Sequence, residues 1–124
     1  ARFVKYNKVF LAYENNKKDK NFKNLEENFK ILKKIKIGSS QIKITKIPMP
    51  RPIYINKFRV PASYLNFYIF NKFVLLPTFN DPKDKKVIKI FKKEFNNRKI
   101  VPIDCSELIW GFGAIHCLTQ QEPK

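Results

Sequence analysis

The chain has 124 residues, of which 44% are hydrophobic and 15% aromatic. That composition builds a packed core in one domain, or in part of a larger one, and argues against a disordered chain. The formal charge of +16 turns attention to polyanions, whereas no apolar run reaches the ~18 residues of a membrane-spanning helix.

The predicted elements run in order from Arg2. Arg2 to Lys5 reads as a strand, Tyr6-Asn7-Lys8 as a turn and Val9-Phe10-Leu11-Ala12-Tyr13 as a second strand. After a polar loop from Glu14 to Lys20, Asp19 or Asn21 caps a predicted helix. Its apolar face repeats at three and four through Phe22, Leu25, Phe29 and Leu32, with Ile35 continuing it and Gly38 ending it. Gln41 to Ile47 alternates up to Pro48 as a strand. Residues 49–60 form a proline-punctuated connector. The pattern then returns, with a strand from Tyr64 to Phe70, a turn at Asn71-Lys72 and a strand from Phe73 to Leu76. Asp81-Pro82 starts a helix, with Asp81 as cap and Asp84 placing charge near its positive end. Val87, Ile88, Phe91 and Phe95 form its buried stripe, Asn96-Asn97 stops it, and Lys99 to Ile103 is the last strand.

The two halves correspond at an offset of 64: Tyr6-Asn7-Lys8 before Val9 aligns with Phe70-Asn71-Lys72 before Phe73. The expected fold class is therefore α/β, built of tandem ββαβ units at residues 1–48 and 61–124. Each unit buries one face poorly alone, so stacking on further units is expected.

Chemistry concentrates in the last fifteen residues, where the single Trp, the single His and two of three glycines stand beside Cys117. A thiolate is needed for attack, so the cysteine requires a base, a positive neighbour or a helix N-terminus to lower its pKa. In extended backbone His116 points away from Cys117 and makes a poor partner. Cys105, following an apolar strand, reads as a buried thiol. Two cysteines make no disulfide framework, and no basic-then-apolar leader stands at Ala1; both are expected to be reduced thiols of a cytoplasmic protein.

Other chemistries find little support. One His and two Cys give no paired metal-ligand spacing, and three glycines supply no phosphate loop. Asp81, Asp84 and Asp104 read as cap, first-turn and strand-end residues. The basic excess comprises 22 Lys against 4 Arg, spread over both helices and most loops. Phosphate- and base-reading surfaces favour the planar fork of Arg, so solvated lysine faces are favoured over a nucleic-acid site. A basic nucleic-acid-binding module stays as the alternative from composition.

Trp110-Gly111-Phe112-Gly113-Ala114-Ile115-His116-Cys117-Leu118-Thr119-Gln120-Gln121-Glu122-Pro123 resembles the C-terminal nucleophile motif of the agmatine deiminases. These are relatives of the bacterial-type peptidylarginine deiminases in the guanidine-modifying pentein superfamily. Pro61 to Ile69 and Leu76-Pro77-Thr78-Phe79-Asn80-Asp81-Pro82 resemble two further segments of that family, in the same order. The resemblance implies a five-bladed α/β-propeller of ββαβ units and hydrolysis of agmatine to N-carbamoylputrescine and ammonia, without metal or organic cofactor.

By position, Cys117 is the implied nucleophile; Gly111 and Gly113, set one apart, let the backbone turn sharply and approach a ligand closely, so their backbones are the expected substrate contacts. His116 has no implied catalytic role. In the family a general acid/base His and a guanidinium-binding Asp stand just before a segment resembling Ala1-Arg2-Phe3. The chain is accordingly expected to be a C-terminal fragment or one piece of a split or cleaved chain, catalytically incomplete without the remainder of the enzyme, in an intact protein that could form homo-oligomers. Phe112 and Ala114 stand where many members have Gly and Asn, which leaves the exact guanidine substrate open.

Overall fold

The computed structural model describes residues 1–122; Pro123 and Lys124, at the end of the motif-bearing segment, lie outside the described residues. It divides into two compact units, residues 1–49 and 50–124.

The first unit contains β1 (Arg2–Lys5), β2 (Lys8–Tyr13), α1 (Phe22–Leu32), β3 (Lys36–Ile37), β4 (Ser40–Gln41) and β5 (Lys43–Pro48). β1 pairs antiparallel with β2, and β2 pairs parallel with β5 from Lys8↔Lys43 to Tyr13↔Pro48. The central strand β2 is the apolar one: Val9, Phe10 and Leu11 are buried consecutively, as expected for a strand covered on both faces.

Gly38 does not end α1. The helix closes at Leu32 with Lys33 as its cap residue, and Gly38, at φ +60°, turns the small β3–β4 hairpin. The reason is conformational: Gly reaches the left-handed region without a Cβ clash. Ile35 accordingly lies beyond the helix, exposed. Asp19, one of the two expected caps, accepts the Asn21 amide at 2.8 Å just before the helix, while Asn21 at the cap position makes no side-chain capping bond.

The second unit opens with the hairpin β6 (Tyr54–Ile55) and β7 (Phe58–Arg59), which lies inside residues 49–60 and is turned by Asn56 and Lys57 at positive φ. Then follow β8 (Tyr68–Phe70), β9 (Phe73–Thr78), α2 (Asp84–Glu94) and β10 (Lys99–Asp104). β8 pairs antiparallel with β9, and β9 parallel with β10, giving the order β10-β9-β8. The second sheet thus repeats the strand directions of the first.

Its core is aromatic. Phe67 meets Phe91 edge-on at 5.0 Å and Phe95 at 6.1 Å, and Tyr64 meets Phe79 at 5.5 Å. Such pairs add about 0.5–1.5 kcal/mol beyond area burial.

Two expectations about this unit change. The strand expected from Tyr64 begins only at Tyr68, because Ser63 starts a turn: its hydroxyl accepts the Leu65 amide at 3.2 Å and its carbonyl the Asn66 amide at 3.1 Å. A short serine hydroxyl competes well for nearby backbone donors. Likewise α2 begins at Asp84 rather than after Asp81. Asp81 instead shapes the preceding turn, accepting the Lys83 amide at 2.8 Å, while Asp84 reaches back to the Asp81 amide at 3.1 Å. The two side chains thus satisfy two amides of the turn ahead of the regular helix.

Candidate functional site

Beyond β10 the chain leaves regular structure. Residues Leu108–Gly111 form a 3-10 turn anchored by fully buried Ile109, and Phe112 follows in the left-handed region at φ +60°. A second 3-10 turn spans His116–Leu118, behind the buried pair Ala114 and Ile115. Cys117 therefore sits on a short turn, not on extended backbone. The alternation argument that separated His116 from Cys117 does not apply to such a turn, in which successive side chains fan around an axis.

The two glycines have different duties. A Cβ on Gly111 would meet nothing within 4 Å, whereas one on Gly113 would lie 2.9 Å from the Cys117 Cβ and 3.4 Å from its Sγ. Glycine at 113 is thus a requirement of space, created by the close approach of the Cys117 side chain. The residue that takes up the left-handed turn is Phe112.

The side chain that organises Cys117 is Asn66, which sequence reasoning did not single out. Its Oδ1 accepts the His116 amide at 2.8 Å and the Cys117 amide at 3.3 Å, and its Nδ2 donates to Cys117 Sγ at 3.0 Å. Its backbone carbonyl also accepts from the His116 amide, at 3.1 Å. The available signal was a polar residue inside the apolar run Tyr64-Leu65-Asn66-Phe67, whose neighbours Tyr64, Leu65 and Phe67 are all buried.

These donors set the electrostatics. The Cys117 thiol is exposed, and its pKa is held below the ordinary thiol value by the Asn66 amide, with the Ala114 N–H adding to the effect. Donors aimed at sulfur favour the charged form. Cys105 is the opposite case: it is fully buried, and burial pushes its thiol up, helped by the neighbouring Asp104 carboxylate. An exposed thiol with a lowered pKa is the reactive kind, and a buried one with a raised pKa is inert.

Asp81 and Asp104 are engaged structurally. Asp81 is buried, which by itself raises its pKa, yet the amides of Arg51 and Lys83 and the Arg51 guanidinium outweigh burial and hold it below the usual carboxylate range. Arg51 approaches Asp81 Oδ2 through its amide at 2.7 Å and its Nε at 3.2 Å. Asp104 accepts from the Ser106 hydroxyl at 2.6 Å and the Asn80 amide at 2.9 Å. Among the described residues no group of three or more His, Cys, Asp or Glu is placed to hold a metal ion, and no helix is long and apolar enough to cross a membrane. What the site offers chemically is one exposed thiol, with its pKa lowered, on a short 3-10 turn.

Known proteins supply the context for that thiol. A family model, the Porphyromonas-type peptidyl-arginine deiminases, matches residues 1–123. A Legionella pneumophila (strain Paris) protein provisionally named agmatine deiminase is 34% identical over 126 residues, covering 100% of this chain and 36% of that protein. The agmatine deiminase of Ectopseudomonas mendocina is 28% identical over 140 residues, covering 98% of this chain and 38% of the relative. Among solved structures, an agmatine deiminase of Enterococcus faecalis superposes with a TM-score of 0.90 at 25% identity, over 98% of this chain and 38% of that one. The chain thus spans little more than a third of the length of the curated relatives it matches. With a whole-length family match, and with relatives and solved folds that agree, the chain belongs to the Porphyromonas-type peptidyl-arginine deiminase family.

Proposed function

We propose that this chain carries the nucleophile of an agmatine deiminase, as part of a five-bladed α/β-propeller in which residues 1–48 and 61–124 are two ββαβ units joined by residues 49–60. The observation that supports this most is the exposed Cys117 thiol with Asn66 Nδ2 at 3.0 Å from its sulfur. A donor there raises the thiolate fraction near neutral pH, and thiolate is the species that attacks.

In this reading the Cys117 thiolate forms a bond to the guanidinium carbon of agmatine, and the terminal nitrogen departs as ammonia. Water then adds to the amidino-thioester carbon, the C–S bond breaks, and N-carbamoylputrescine leaves with the thiolate restored. A proton must be delivered to the departing nitrogen and taken from the water, by a His from the remainder of the same enzyme. Carboxylates from that remainder grip the guanidinium, which must be desolvated against negative charge. This chemistry uses no metal and no organic cofactor. The backbones of Gly111 and Gly113 are proposed to face the substrate, where open space lies over the Gly111 α-carbon. The intact enzyme is proposed to act in the cytoplasm, and homo-oligomers are compatible with it.

Cys117→Ser in the intact enzyme tests the reading. Agmatine turnover is expected to fall by at least about a thousandfold, the scale on which nucleophile removal acts. Turnover left unchanged by that substitution would sink it.

A further inference from the structure

We infer that Tyr64 is a positioning residue for Cys117, acting through the turn that carries Asn66 and anchored by its hydrogen bond to Asp84. The inference rests on the deiminase reading only in taking Cys117 as the reacting group. Tyr64 is wholly buried, and a buried hydroxyl needs a partner. It finds one in Asp84, donating to Oδ1 at 2.6 Å. A carboxylate acceptor makes this a strong bond. Burial, and then the bond to Asp84, push the phenol far above its ordinary pKa, so it stays a donor throughout the range in which an enzyme works.

Asp84 is itself held. Its Oδ2 accepts the amides of Phe79 at 3.3 Å and Asp81 at 3.1 Å, at the N-terminal turn leading into α2. The hydroxyl of Tyr64 is therefore tied to a fixed point of the helix, and Phe79 packs edge-on against its ring. Two residues further along the chain stands Asn66, whose side chain and carbonyl are all engaged with residues 116 and 117. On the far side of Asn66, Phe67 is buried among Phe91 and Phe95.

The two anchors differ in kind. Apolar burial of Phe67 is non-directional and tolerates rotation, whereas the Tyr64–Asp84 bond is directional and fixes how the 63–66 turn is rotated. A small rotation of that turn moves Asn66 Nδ2 off the sulfur, because hydrogen bonds weaken steeply as they lengthen and bend.

The test uses the full-length protein and iodoacetamide, which alkylates thiolates, with the modified Cys117 peptide quantified by mass spectrometry across pH. Tyr64→Phe keeps the ring and deletes only the hydroxyl. Its alkylation inflection is expected to move to higher pH, slowing reaction at neutral pH about threefold, against about tenfold for Asn66→Ala. The double variant is expected to match Asn66→Ala alone, since Tyr64 acts only through Asn66. An unmoved inflection in Tyr64→Phe, or a double variant equal to the sum of the two singles, overturns the inference. Should Tyr64→Phe fail to fold, Asp84→Asn removes the charge of the acceptor at nearly constant volume and is expected to displace the inflection in the same direction; no displacement overturns it. Alkylation needs no substrate, so absent agmatine turnover in the wild-type protein would count against the deiminase reading alone.

Discussion

The two units share a plan and differ in how they use it. In each, a hairpin leads into a helix and a third strand that returns parallel to the central one. In the first unit, α1 buries none of its residues; Phe22, Leu25, Phe29 and Leu32 are all half-buried. In the second, α2 buries Val87, Phe91 and Glu94, and Phe91 locks into a cluster with Phe67 and Phe95. The first unit has one edge-on pair, Tyr13–Phe29 at 6.1 Å, and a lysine beside it: Lys46 Nζ lies 3.7 Å from the Tyr13 ring centre and 3.8 Å from that of Phe29. A lysine stem there covers apolar surface while its ammonium faces the rings. The difference teaches that the helix of one topology can bury its apolar face or leave it half-buried, and the Cys117 thiol sits in the unit whose helix is buried.

The sharpest way to break this comparison is to remove matched aromatics. Phe91→Ala is expected to cost about 3–5 kcal/mol, as for other fully buried aromatic truncations. Phe29→Ala, at a half-buried position, is expected to cost about 1 kcal/mol. Denaturant midpoints of the full-length protein carrying each variant give the answer, and equal losses would erase the distinction.

Glycines supply a second contrast. Gly113→Ala puts a methyl 2.9 Å from the Cys117 Cβ, so the cysteine must shift. Alkylation of Cys117 is expected to slow about tenfold, since an ångström of misplacement is felt strongly at a reacting centre. Gly38→Ala in the first unit places a Cβ in the left-handed region with nothing nearby. It is expected to destabilise by about 1 kcal/mol through backbone strain alone, with the alkylation rate unmoved.

The smallest expected effect is a pH dependence confined to the second unit. Asp81 has a folded pKa below its ordinary value. The bound proton count is therefore lower in the folded than in the unfolded state across that window. Its contribution to stability is full above the ordinary carboxylate range and is lost as pH falls through the folded pKa. Acid melting curves should show Asp81→Asn closing the gap with wild type, with a difference of about 3 °C at neutral pH that vanishes in acid. A gap independent of pH would contradict the linkage.

Much of the plan was legible along the chain. The strand, turn and strand of Arg2 to Tyr13, the alternation of Gln41 to Ile47, the three-four spacing of Phe22 to Leu32 and the stripe of Val87, Phe91 and Phe95 each gave the right element, because apolar runs and periodicity report what is buried. The motif around Cys117 was also visible, as was the burial of Cys105. Boundaries were read less well. Tyr64 to Phe67 has the composition of a strand, yet Ser63 draws the local amides into a turn. Gly38 looked like a helix stop and instead turns a hairpin that two-residue strands gave no pattern to reveal.

The sequence by itself determined the element types and the candidate nucleophile, since these follow from residue spacing and residue chemistry within short windows. Only the tertiary structure decided what meets the Cys117 thiol. Asn66 and Cys117 are 51 positions apart, and no local pattern brings an amide to a thiol across that distance. Their meeting depends on the packing of Phe67 under α2 and on the Tyr64–Asp84 bond, which are long-range contacts created by folding. For the same reason the need for glycine at 113 is invisible in the motif. It arises from where the Cys117 side chain comes to rest, and only the folded turn places it there.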